Sequence, residues 1–177
     1  MEERLVAPWN QSKYLVGTSL LFLGPASCAY THNMPFIATT LTVTSLVSAN
    51  FWRHANYSIR RDCDLVVAKG GMAIMCYTAA HYVRAFDKVV TAYPCLGLIA
   101  YTYYKSHQLH SAKKNGWLYY HMTMHMLFTY EQITIITSIN QSGVNGVNPQ
   151  RDTILIMILM SVYFISLAQY FKYHSLS

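Results

Sequence analysis

The chain has 177 residues, of which 53% are hydrophobic and 11% are charged. Soluble domains carry roughly 25% charged residues, and a soluble core would leave much of this apolar surface in water. The formal net charge is +6. No stretch of the sequence interleaves clustered Arg and Lys with exposed aromatics, so no nucleic-acid partner is predicted. These features favour a membrane protein over a soluble domain.

Long apolar segments follow one another along the chain, each near the ~20 residues that a helix needs to cross the hydrocarbon core of a bilayer. The sequence therefore predicts an all-α fold, a polytopic transmembrane helix bundle of about six spans in one domain, residues 1–177. Gly24-Pro25 and Pro94 interrupt the first and fourth segments, which are the weakest. The spans are predicted at 14–30, 34–52, 65–83, 89–104, 117–139 and 153–171.

Lys and Arg are divided unevenly between the two sides of this topology. Ten of them fall on one side, and only Arg84, Lys88 and Arg151 fall on the other. Because cytosolic loops carry an excess of Lys and Arg, the ten-residue side is predicted to be cytosolic, together with both termini. Membrane lipids are then the surrounding partners. The sequence leaves open an oligomer or a membrane-protein partner, the organelle, and the use of the glycosylation sequon at Asn140.

Ionisable residues inside a membrane helix are expensive and are functional candidates by default. His121 and His125 form His-Met-Thr-Met-His on the fifth predicted span, and a spacing of four puts both imidazoles on one helix face, within reach of one ion. His54 and Asp64 flank the turn between spans two and three, at the same predicted depth. Three neutral imidazoles leave a fourth position on zinc for water, and a nearby carboxylate could take that water's proton.

These residues resemble the site of a superfamily of membrane hydrolases that includes the alkaline ceramidases and the adiponectin-receptor-like proteins. Those proteins have a Ser and a His on one helix, an Asp on the next, and a late His-x-x-x-His pair, which together hold zinc near the cytosolic face. The resemblance implies that zinc is bound by His54, His121 and His125. Asp64 and Ser48 would be the catalytic residues, and the substrate would be a lipid amide or ester.

The sequence departs from that pattern because Ser48 lies six rather than four residues before His54, and because the histidine pair is on the penultimate predicted span. A non-enzymatic structural or assembly protein is the main alternative. In that case His121 and His125 hydrogen-bond across the bundle. Asp62 and Asp64 would then pair with Arg60 and Arg61. Glu131, the one carboxylate well inside a span, would fit a small channel or transporter. A di-iron oxidase is disfavoured because the chain has no His-His pair.

Overall fold

The computed structural model describes residues 5–141, and this part of the chain is helical apart from short turns. A helix lies over each of the first five predicted segments, whereas the prediction for 153–171 lies outside the described residues. The all-helical fold class is therefore confirmed. The helices are α1 (Trp9–Leu20), α2 (Leu23–Thr31), α3 (Pro35–Arg53), α4 (Ile59–Tyr82), α5 (Phe86–Ser111) and α6 (Trp117–Gln141).

The first predicted segment is divided into two helices by a break at Leu21 and Phe22. Pro25 lies in the first turn of α2, where its missing N–H costs no hydrogen bond. If α1 continued without a break, the Pro25 ring would clash with the Leu21 carbonyl four residues earlier. This clash explains why α1 stops before Leu21. The chain crosses the break through tighter turns, with the Leu21 and Phe22 N–H groups donating to Thr18 and Ser19 carbonyls at 3.3 Å each.

The bundle is built around α3 and α6. Helix α3 packs against α1, α2 and α4, whereas α6 packs against α5 and also contacts α1, α2 and α4. Close approach of α3 and α4 depends on Gly71, because a Cβ there would lie 3.1 Å from Thr44 Oγ1. The main apolar core includes Leu41, Met75 and Ile135, all at most 1% exposed.

One end of the bundle collects the N-terminal segment, the α3–α4 turn and the end of α5. The Val6 N–H donates to the Ala55 carbonyl at 2.8 Å, and His110 Nε2 lies 3.0 Å from the Val6 carbonyl oxygen. A second apolar cluster, which includes Leu15, Trp52 and Trp117, lies at this end. Residues near the end of α3, the start of α4, the end of α5 and the start of α6 consequently share one level of the bundle.

Among the described helices, Ile59–Tyr82 is the only one both long and apolar enough, by length and composition, to cross a bilayer. Helices α1 and α2 are each too short to cross a bilayer. The longer one, α1, has 12 residues and extends only about 18 Å at 1.5 Å per residue. The other helices carry many Ser, Thr, Tyr and His residues, which lower their mean hydropathy. Helix composition therefore supports one candidate span in this part of the chain.

Apolar and polar side chains are distributed unusually between the surface and the interior of the bundle. Large apolar residues lie on the outside, among them Val43 on α3, Leu98 on α5 and Met126 on α6, which are 44%, 51% and 51% exposed. Polar residues on the same helices are buried, including Ser45 and Gln132, both 0% exposed. The bundle thus has an apolar exterior and an interior with many polar groups.

Candidate functional site

Two histidines one turn apart on α6 lie inside the bundle near the end described above. His125 is buried and His121 is half-buried. Their ring centroids are 4.9 Å apart, as expected for residues at positions i and i+4 of a helix. The structure therefore brings this predicted pair together, with both imidazoles on one face of α6.

Hydroxyl groups from two other helices hold these imidazoles through their Nδ1 atoms. Thr18 Oγ1 of α1 lies 3.0 Å from His125 Nδ1, and Ser106 Oγ of α5 lies 3.4 Å from His121 Nδ1. Each hydroxyl already donates to a carbonyl, that of Leu15 at 3.3 Å for Thr18 and that of Trp117 at 3.1 Å for Ser106. When a hydroxyl donates to its carbonyl, it accepts from Nδ1–H, and the lone pair of that imidazole is then on Nε2.

Ser48 and Asp64, the two predicted catalytic residues, also lie next to each other. Both are buried, and the Asp64 carboxyl group of α4 interacts with the Ser48 hydroxyl of α3. The Ser48 hydroxyl is also 3.1 Å from Ser19 Oγ of α1. Ser45, one turn before Ser48, donates to the Ser19 carbonyl at 2.9 Å. This group of hydroxyls joins α1, α3 and α4 around one buried carboxylate.

The alternative pairing of both aspartates with arginines holds for only one of them. Asp62 lies 3.9 Å from Arg61, and both side chains are about one third exposed, so this ion pair contributes little stability. Asp64 instead points into the bundle, although Arg61 also interacts with it electrostatically. The two positions differ because residues two apart lie on opposite sides of a helix.

The histidine pair and the serine–aspartate group meet at two consecutive residues of α1, Thr18 and Ser19. Together they form a chain of polar side chains across five helices at one level of the bundle. We call it the interior polar network, and its members are Ser106, His121, His125, Thr18, Ser19, Ser48 and Asp64.

Aromatic rings surround the histidines in this network. The Trp52 and His121 ring centroids are 5.1 Å apart, and those of Phe22 and His125 are 5.3 Å apart. The Trp52 ring also stacks on Trp117 at 6.2 Å. Trp52 and Trp117 supply an apolar wall toward the end of the bundle, whereas Phe22 belongs to the main apolar core.

His54, the third predicted zinc ligand, lies apart from this network. It is exposed and follows the last residue of α3, with φ −138° taking the chain out of the helix. Even on a continued helix, a residue six positions after Ser48 would point about 120° away from it. The residue one turn after Ser48 is Trp52, so an indole occupies the helix face that contacts His121.

The described residues contain no group of three or more His, Cys, Asp or Glu side chains placed to hold a metal ion. They bring together two of the three predicted ligands, and a catalytic zinc site needs three protein ligands. The pair itself suits a metal, because hydroxyls fix the Nδ1 atoms and orient Nε2. Residues 5–141 therefore do not complete the donor set, and zinc binding stays a prediction.

Sequence reasoning missed the network members Thr18, Ser19 and Ser106, as well as Trp52. Ser and Thr inside helices usually bond to the carbonyl one turn back, as Thr102 does with Leu98 at 2.8 Å. Nothing in the sequence separates these ordinary hydroxyls from Thr18 or Ser106. Only the spacing of four between Ser48 and Trp52 could have indicated which α3 residue faces the histidines.

Glu131 and Gln132 form a second buried polar feature on α6. Glu131 is 1% exposed and Gln132 is 0% exposed. Within residues 5–141, both amide atoms of Gln132 lack a hydrogen-bond partner, and the Glu131 carboxyl oxygens have no N–H or O–H partner, although the Cys95 thiol lies beside them. They follow His125 by six and seven residues, about 9 Å or more along the axis, and so lie outside the interior polar network.

Comparison with known proteins adds no relative. No protein-family model, curated protein or solved structure matches the chain. The resemblance to the ceramidase and adiponectin-receptor superfamily therefore stays a prediction.

Proposed function

We propose that the protein is a multi-pass integral membrane protein with both termini in the cytosol. The observation that carries this proposal is that large apolar side chains are exposed on the described helices while many polar side chains are buried between them. In water, the exposed Val, Leu and Met side chains would gain nothing from their position, whereas in lipid they face a medium as apolar as themselves. Polar side chains then belong inside the bundle, where other helices satisfy them.

The distribution of charge supports the orientation. The end that contains the α3–α4 and α5–α6 turns carries Arg53, Arg60, Lys113 and Lys114, whereas the opposite end carries Arg84 and Lys88. By the positive-inside rule the first end faces the cytosol. The interior polar network then lies near the cytosolic surface.

Cysteine accessibility tests this topology. In a background without the four native cysteines, Lys113→Cys and Ala85→Cys place one thiol in an exposed turn at each end of the bundle. A membrane-impermeant maleimide should label Lys113→Cys only from the cytosolic side and Ala85→Cys only from the other side. Labelling of both positions from one side of sealed vesicles would contradict the multi-pass topology, and the reverse pattern would contradict the orientation.

For the chemistry, we propose zinc-dependent hydrolysis of a lipid amide or ester at the interior polar network. The adjacent imidazoles of His121 and His125, whose Nδ1 atoms contact hydroxyls of neighbouring helices, are the observation that favours it. Bound zinc would supply a water activated at neutral pH. Asp64 is a buried carboxylate available to accept a proton, and the aromatic walls suit an acyl chain.

Metal analysis of the full-length protein, purified without chelators, tests this proposal most directly. We expect near-stoichiometric zinc that is lost in His121→Ala and in His125→Ala. His54→Ala decides whether the exposed histidine is the third ligand, and His107→Ala, at another exposed position, is the matched control. Metal-free protein, or zinc that survives both α6 variants, would rule out this site.

The same hydrogen bonds favour a non-enzymatic structural or assembly role as the second candidate. Every hydroxyl–imidazole contact in the network joins two different helices, as polar groups do when they hold a membrane bundle together. In that case His125→Ala should lower the free energy of unfolding, while the wild type hydrolyses no sphingolipid-like amide and holds no metal. Zinc content together with hydrolysis in the wild type would exclude this candidate.

A further inference from the structure

The part of the interior that the proposed chemistry does not use is centred on Glu131. Its carboxyl group lies within the main apolar core, one turn before Ile135 and close to Phe128 along the helix. No described Lys, Arg or His forms an ion pair with it. Among residues 5–141, the side chain is therefore buried beside the main apolar core without a charged partner.

A thiol of a neighbouring helix lies next to Glu131. The Cys95 side chain of α5 lies beside the Glu131 carboxyl group, and its Sγ donates to the Leu127 carbonyl at 3.6 Å. Cys76 of α4 is also close enough to interact with the carboxyl group electrostatically. Neither thiol carries a positive charge, so neither neutralises the carboxylate.

An ionised carboxylate in such a position is expensive. Even after relaxation, removing a carboxylate from water is costly, and each buried polar group without a partner adds to that cost. Gln132, the next residue, adds an uncharged amide that also lacks a partner among the described residues. One bound positive charge would remove the larger penalty, and it could also use the amide oxygen.

We propose that Glu131, with Gln132 beside it, is a binding site for a single positive charge inside the bundle. The occupant is either a proton on the carboxyl group or a monovalent metal cation held by the carboxylate and amide oxygens. The site lies at least about 9 Å along α6 from His125 and does not require hydrolysis. The proposal rests on the buried position of Glu131. Absence of zinc in the purified protein would therefore leave this proposal unaffected.

Carbodiimide labelling of the full-length protein in proteoliposomes tests the site. The apolar reagent dicyclohexylcarbodiimide partitions into lipid and reacts with protonated carboxyl groups, leaving a stable acylurea that peptide mass spectrometry can locate. At neutral pH and without metal cations, we expect Glu131 to be modified. The exposed Asp87 should instead react with a water-soluble carbodiimide, which should leave Glu131 unmodified.

Added cations distinguish the two occupants. If labelling of Glu131 is unchanged by Na⁺ or K⁺, the occupant is a proton. If it falls with increasing Na⁺ or K⁺, the occupant is a metal cation, and Gln132→Leu should weaken that protection. Glu131→Asp should keep the reactivity. Failure of the apolar reagent to modify Glu131 in cation-free medium from acid to neutral pH would overturn the proposal, as would equal modification by the water-soluble reagent.

Discussion

Thr18 connects the two halves of the interior polar network, because its hydroxyl holds His125 while Ser19 beside it contacts Ser48. Thr18→Val keeps the shape of the side chain but leaves His125 Nδ1 without its partner inside the bundle. We expect the free energy of unfolding in micelles to fall by about 1–3 kcal/mol, the cost of an unsatisfied buried donor. Thr18→Ser retains the hydroxyl and is the control. Equal effects of the two changes would show that packing matters here and the hydrogen bond does not.

Gly71 decides how closely two central helices approach. A Cβ at this position would lie 3.1 Å from Thr44 Oγ1, whereas a Cβ at Gly97 of α5 meets nothing within 4 Å. Thr44 Oγ1 is held by its 2.8 Å hydrogen bond to the Thr40 carbonyl and cannot easily move aside. Overpacking costs about 1–3 kcal/mol and should exceed the gain of about 0.5–1 kcal/mol in helix propensity, so Gly71→Ala is expected to destabilise the fold. Gly97→Ala should stabilise it by about 0.5–1 kcal/mol, because alanine is the better helix former. Thermal unfolding of both variants checks the prediction, which requires the midpoint temperature to fall for Gly71→Ala and to rise for Gly97→Ala.

At the scale of the helices, two turns end in residues with a left-handed backbone. Asn33 and Lys113 have φ values of 56° and 54°. In each case the next N–H donates to a carbonyl five residues back, Met34 to Ala29 and Lys114 to Leu109, both at 2.9 Å. This pattern closes the C-terminus of a helix and normally has glycine at the left-handed position.

Because asparagine adopts this conformation at a lower cost than lysine, the two turns should respond differently to glycine. Lys113→Gly is expected to raise the free energy of unfolding by up to about 1 kcal/mol, since the left-handed conformation costs most residues about 1–2 kcal/mol. Asn33→Gly should change it less. Denaturant titration of both variants measures the difference, and a larger gain at Asn33 would show that backbone strain at Lys113 is not the cause.

At the scale of the whole molecule, large apolar side chains are exposed on the described helices. The effect of placing a charge among them shows whether lipid or water surrounds this surface. Val43 is 44% exposed near the middle of α3. In water, Val43→Lys should change stability by no more than about 0.5 kcal/mol, whereas at the centre of a membrane span a lysine costs about 2.5–3.5 kcal/mol. We expect the large effect, seen as a fall in the inserted fraction. Ser111→Lys, at the exposed end of α5, should have little effect. A neutral Val43→Lys would contradict the membrane proposal.

The sequence by itself determined the helical class and the approximate positions of five helical regions, because long apolar runs between short polar turns admit few other structures. It also determined that His121 and His125 share a helix face, since the 3.6-residue period decides that contact within one helix. The same period explains why Ser48 and Trp52 lie on one side of α3. These properties depend on residues close together in the chain.

Only the tertiary structure decided which residues from different helices meet. The partners of the histidines are Thr18 and Ser106, which no local pattern marks, and Trp52 lies against His121 while His54 stays exposed. The division of the first segment at Leu21 depends on a proline four residues later, and the isolation of Glu131 depends on which faces of α4, α5 and α6 pack together. Contacts between helices depend on how the helices pack and on how each one is rotated about its axis. Patterns within one segment of the sequence do not determine either property.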